Sequence, residues 1–115
     1  MKNKDNLIVN LTFDFAIKII EYCETLESER KFIIANQLLK SGTSIGANIR
    51  EAQNAESKND FVHKFKISAK EIEETHYWLE LCNKSKNYPN TDKLINLLDS
   101  ITKITNKIIS TSKKK

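Results

Sequence analysis

The sequence predicts an all-α protein: one antiparallel up-and-down four-helix bundle, a single domain over residues 1–115. Three observations carry this. Four segments repeat apolar residues every three or four positions. Only two Gly and one Pro interrupt the 115 residues, too few for the frequent turns of a β-sandwich. From Phe61 to Cys82 a heptad seam recurs, the spacing that packs helices nearly parallel. The composition, 39% hydrophobic and 30% charged, is that of a folded chain and not a disordered one.

The first helix is expected over residues 11–26. Leu11, Phe15, Ile19 and Cys23 step by four, with Ala16, Ile20 and Leu26 widening the stripe, and Asn10 or Thr12 can cap its start. The charged stretch Glu27 to Lys31 reads as the following turn, without a Gly to set the stop.

The second helix is expected over residues 31–55, with Ile34, Leu38, Ile45, Ile49 and Ala52 inward. Both glycines of the chain, Gly42 and Gly46, lie in its middle, four residues apart and so on one helix face. Either the helix breaks near Gly42, or it continues and uses the pair for close helix packing. Each Gly costs about 1 kcal/mol against Ala in a helix interior, so continuity needs a packing gain. A continuous helix is favoured, because a break leaves two pieces of marginal length.

The third helix, residues 58–85, has the cleanest pattern. Ser57 and Asp60 are placed to cap its free backbone N–H groups. Phe61, Phe65, Ser68, Ile72, Thr75, Leu79 and Cys82 then alternate steps of four and three. Pro89 biases Tyr88 out of the α region and marks the next turn. The fourth helix, residues 92–110, buries Leu94, Leu97, Leu98, Ile101, Ile104, Thr105 and Ile108, and residues 111–115 read as a frayed basic tail.

The seam leaves a second stripe on the third helix, in which Ile67, Trp78 and Leu81 accompany Glu71 and Glu74. A single bundle would leave part of Trp78 and Leu81 wet, and aromatics anchor interfaces. Ile67, Trp78 and Leu81 are therefore the expected contact between copies, against the alternative that a broad core absorbs Trp78.

Nothing points to catalysis. His63 and His76 are thirteen residues apart and point in different directions from one helix. Glu73 and His76 form one Glu-x-x-His element, but a di-metal bundle needs a second one and two more inward glutamates. Cys23 and Cys82 sit on core stripes without zinc or redox spacing. No phosphate-binding glycine loop is present. The expectation is no enzyme, no metal and no cofactor. No segment has the length of a membrane span or a signal peptide, so a cytoplasmic protein with reduced thiols is expected.

Net charge is +4, and the excess lies toward the C-terminus, where residues 90–115 hold six Lys against Asp92 and Asp99. Lys66 and Lys70 are one turn apart, as are Lys103 and Lys107, and Arg50 and Lys58 lie on either side of the second turn. Such rows can track phosphates, although Lys70 can equally pair with Glu73 or Glu74. With few free aromatics, binding would read backbone and shape, not bases.

The run Ser41-Gly-Thr-Ser-Ile-Gly-Ala-Asn-Ile-Arg-Glu-Ala-Gln-Asn-Ala-Glu-Ser57, then Asp60-Phe61 and Tyr77-Trp78-Leu79-Glu80-Leu81-Cys82, resembles the bacterial "four helix bundle protein" family. It is also called the 23S rRNA intervening-sequence protein, or S23, family, and the accessory variability protein of diversity-generating retroelements is a related branch. The resemblance extends from Ile17-Lys-Ile-Ile-Glu-Tyr22 to the C-terminal Ile-Ser-Thr-Ser-Lys stretch. It implies an up-and-down protomer in a homopentamer and, in the retroelement branch, a basic surface that binds nucleic acid and a reverse transcriptase. It carries no active site onto this chain. The expected function is thus a non-enzymatic homo-oligomer that binds RNA or a nucleic-acid-associated partner, with a protein-interaction scaffold as the alternative.

Overall fold

The computed structural model describes residues 6–113, and every regular element among them is helical: α1 (Leu7–Ser28), α2 (Phe32–Ala52), α3 (Lys58–Lys84) and α4 (Asp92–Lys113). Each helix packs on its two neighbours in an up-and-down square, with α1 and α3 at opposite corners, as are α2 and α4. The bundle is 47 Å long.

α1 begins four residues before the expected start. Asn6 is its cap, accepting from the Val9 N–H at 3.3 Å, because Ile8 is buried and carries the apolar stripe one turn further. Thr12 is no cap: it lies inside the helix, buried, and donates to the Ile8 carbonyl at 2.8 Å. The core face of α1 is Ile8, Thr12, Phe15, Ile19, Cys23 and Leu26. Ile20, expected inside, is 40% exposed; at 100° per residue it lies one full step beyond Ile19 and clears the contact.

α1 stops without glycine. Arg30 adopts φ 66°, and the Lys31 and Arg30 N–H groups donate back to the carbonyls of Leu26 and Glu27 at 2.9 Å each. This is the Schellman pattern, which satisfies the last carbonyls of the helix.

α2 is unbroken through both glycines. A Cβ on Gly42 would come within 2.9 Å of Ile19 Cγ2, and one on Gly46 within 3.2 Å of the Thr12 carbonyl oxygen. The close approach of α1 is the packing gain that offsets the propensity cost of two glycines. α2 ends at Ala52, its last buried residue, and residues 53–55 turn through i to i+3 hydrogen bonds.

The opposite side of α2 meets the α3 seam. Ser68 donates to the Ile45 carbonyl at 3.0 Å, and the Thr75 hydroxyl lies 2.9 Å from that of Ser41. Small hydroxyls at seam positions thus join two backbones at short range. At the start of α3 the Ser57 hydroxyl accepts from the Asp60 N–H, and Asp60 reaches back to the Glu56 N–H. At its end, Asn83 accepts from the Thr91 N–H and donates to Asp92. Tyr22 of α1 donates to the Pro89 carbonyl at 2.7 Å and holds the α3–α4 turn against the bundle.

α4 continues through Lys113, so residues 111–113 are helix and not a frayed tail; Lys114 and Lys115 lie outside the described residues. The helix persists because Ser112 remains half-buried beside the first turns of α3.

Candidate functional site

Antiparallel pairing brings the last turns of α4 beside the first turns of α3. Between them runs an open groove of about 440 Å³ lined by Lys58, Asn59, Val62, His63, Lys66, Ser112 and Lys113. No carboxylate lines it. Lys66 and Lys70 are exposed one turn apart on α3, as are Lys103 and Lys107 on α4. None of Lys58, Lys66, Lys70, Lys103 or Lys107 forms an ion pair among the described residues, so Lys70 does not take the Glu73 or Glu74 carboxylate. Exposed, unpaired ammonium groups are free to neutralise an anion. Lys113 joins this group although the sequence pattern places it in a tail. Its signal becomes visible only once α4 is known to continue.

Arg50 belongs elsewhere. It lies at the α1/α2 face, its guanidinium carbon 5.4 Å from the centre of the Phe13 ring. It therefore does not extend the α3/α4 lysine rows. Phe13 (52% exposed), Ile17 (43%) and Ile20 form an apolar stripe along α1. Beside it is a depression of about 260 Å³, lined by Val9, Thr12, Phe13, Ala16, Thr43, Gly46, Ala47 and Arg50. The signal for this stripe is present in the sequence, as apolar residues outside the steps of four, but the pattern counts Ile20 with the core.

The second stripe of α3 divides. Trp78 is half-buried against the core, its indole N–H donates to Glu74 at 3.1 Å, and Tyr77 stacks edge-on against it. Leu81 is 38% exposed and Ile67 half-buried. Burial, and then the neighbouring Glu74, hold the Glu71 carboxyl above its ordinary pKa; Lys40 offsets this only in part.

His76 lies within 3.6 Å of Glu80 and 3.7 Å of Asp99, linking α3 to α4. No group of three or more His, Cys, Asp or Glu among the described residues is arranged to hold a metal ion. Cys23 and Cys82 are free and buried. Burial pushes the Cys23 thiol up to about 12, helped by Glu27, and raises Cys82 as well. Such thiols are poor nucleophiles. Among the described residues no helix is long and apolar enough to cross a membrane.

A square of four helices joined by short turns, with small residues between α1, α2 and α3, defines an up-and-down four-helix-bundle protein. The model of the family described as 23S rRNA-intervening sequence protein matches residues 4–110, and the chain belongs to that family. A solved structure from Bacteroides thetaiotaomicron, a protein of unknown function from the S23 ribosomal protein family, superposes with a TM-score of 0.84. It is 39% identical over 89% of this chain and 97% of its own. Comparison with curated proteins gives no match.

Proposed function

We propose that this chain is a non-enzymatic, cytoplasmic, self-associating bundle that binds RNA, or a nucleic-acid-associated partner such as a reverse transcriptase, through the α3/α4 lysine surface. The observation that carries the reading is the groove in which Lys58, Lys66 and Lys113 converge with no carboxylate among its walls. Lys70, Lys103 and Lys107 extend the cationic surface on the same two helices. The family's description names the 23S rRNA intervening sequence, and five copies is the assembly implied by the resemblance. Free buried thiols support a reducing compartment. The reading needs no metal and no cofactor.

Contacts of this kind are electrostatic, so affinity should fall steeply with salt, the log–log slope counting phosphates neutralised. Titrating purified protein into structured RNA at low salt tests this. Saturable binding that weakens as salt rises supports the reading, and no shift at low salt removes it.

A second reading is favoured by the exposed Phe13, Ile17 and Ile20: a scaffold that holds another protein, its lysines serving solubility. Charge reversal at Lys103 and Lys107 would then leave partner capture intact, whereas RNA binding would suffer.

A further inference from the structure

Two apolar surfaces stand at opposite corners of the bundle, and their charges are opposite. The α1 corner is concave and holds one cation: Phe13 lines the α1/α2 depression, exposed Ile17 and Ile20 continue the apolar stripe along α1, and Arg50 is the one charged residue among the lining. No ion pair engages Arg50 among the described residues. The α3 corner carries Trp78 and Leu81, with Glu74 fixed beside the indole by its 3.1 Å hydrogen bond. Because α1 and α3 stand at opposite corners of the square, these two outward surfaces do not face one another within one protomer.

We infer that the α1/α2 depression of one copy receives the Trp78–Leu81 edge of a second copy, head to tail, with Arg50 of the first pairing with Glu74 of the second. This rests on the self-association proposed above and deepens it by naming the surfaces. A second copy fits both halves of the requirement at once, since each chain supplies one apolar hollow with a cation and one apolar edge with an anion. Burying the apolar surface supplies the drive, and the charge pair sets register and excludes like-to-like contacts, in which arginine would face arginine or glutamate face glutamate. The small Gly46 and Ala47 keep the hollow open; a larger side chain at Ala47 would fill it. A contact between different surfaces leaves one of each unused at the ends of an open chain, so it is satisfied everywhere only when it closes into a ring.

Mass in solution, by light scattering or sedimentation, tests this with Phe13→Asp, Leu81→Asp, Arg50→Glu, Glu74→Arg and the double variant Arg50→Glu/Glu74→Arg. Phe13, Leu81, Arg50 and Glu74 are all exposed, and helical circular dichroism checks that each variant folds. Wild type is expected to assemble. Phe13→Asp and Leu81→Asp are each expected to be monomeric alone and, when mixed, to form a dimer that grows no further, through the one hollow and one edge left intact. Each single charge reversal is expected to weaken assembly at least tenfold, and the double variant to recover most of it.

A monomeric wild type overturns both self-association and this contact. An assembled wild type that survives both aspartate variants overturns the contact alone. If one aspartate variant still dimerises by itself, the surfaces pair like to like and the head-to-tail arrangement is wrong. Failure of the double variant to recover removes the Arg50–Glu74 pair.

Discussion

Gly42 of α2 faces Ile19 of α1 so closely that a methyl group on it would stand 2.9 Å from Ile19 Cγ2. Ile19 is fully buried, so its side chain has no free space into which to swing. The contact explains why a helix with two interior glycines stays whole. It also makes the α1–α2 spacing the least tolerant dimension of the bundle.

Replacing Gly42 by Ala therefore sets two effects against each other. Helix propensity gains about 1 kcal/mol, while overpacking a rigid core costs about 1–3 kcal/mol. With the neighbour immobile, overpacking wins, and Gly42→Ala should lower the thermal midpoint by several degrees. Gly46→Ala should behave alike, since the added carbon would press on the Thr12 backbone carbonyl and not on a side chain. Thermal melts by circular dichroism check both; a raised midpoint for Gly42→Ala would mean that α1 yields.

Arg30 is the reverse case. It is an exposed residue at φ 66° that closes α1, a conformation costing an L-residue about 1 kcal/mol or more. Glycine adopts it freely but gives the unfolded chain more entropy. Arg30→Gly is expected to stabilise by about 0.5–1 kcal/mol, read as a higher denaturation midpoint in urea at unchanged slope.

How far the sequence exposes this structure differs between core and surface. The α3 seam is legible because Phe65, Ser68, Ile72, Thr75, Leu79 and Cys82 all point to one side, and every one is buried. Helix ends are less so. The start of α1 depends on Ile8 finding cover from the rest of the bundle, which local pattern does not record. Ile20 departs from its expected place for the same reason: its exposure depends on where α2 stops covering α1, a property of two helices. The α3/α4 groove is legible only in part because Lys113 joins Lys58 and Lys66 through antiparallel packing, and Arg50 leaves the lysine rows because it lies on the α1 side of α2, against Phe13.

Alkaline pH should unfold the protein through its buried acids. Burial raises the folded thiol of Cys23 from 9.0 to about 12, and raises Tyr22 and Cys82 in the same direction. A group whose folded pKa lies above its unfolded value contributes stability below the unfolded pKa and loses it as pH rises toward the folded value. Stability should thus hold through pH 8 and decline from about 9 to 12. Chemical denaturation across that range checks it, and Cys23→Ala should flatten the decline. Alkylation of either cysteine should need unfolding, since both thiols are buried.

Thr105 is fully buried, and its hydroxyl has no hydrogen-bond partner among the described residues. An unmet buried polar group costs about 1–3 kcal/mol of desolvation, and valine has the same shape without that cost. Thr105→Val should stabilise by about 1 kcal/mol. Thr75→Val is the contrast, because the Thr75 hydroxyl contacts both Ser41 and the Glu71 carbonyl. It should destabilise, and opposite signs for the two variants in one urea series check the argument.

The lysine groove makes a prediction about slope as well as affinity. If Lys58 and Lys66 each neutralise one phosphate, changing both to Gln leaves two phosphates with their counterions still condensed. The log–log salt slope of RNA binding should then become shallower by about 0.7–0.9 for each phosphate no longer neutralised. Lys18 provides the control, because it lies with Lys93 on the α1/α4 side of the bundle, away from that groove. Lys18→Gln removes a charge outside the groove, so it should leave the slope unchanged. Equal effects from Lys18→Gln and Lys66→Gln would mean that RNA responds to net charge and not to the groove. Filter binding over a salt series distinguishes the two, because net charge acts at long range and is screened within about 10 Å at 0.1 M salt, whereas a bound phosphate is counted in the slope.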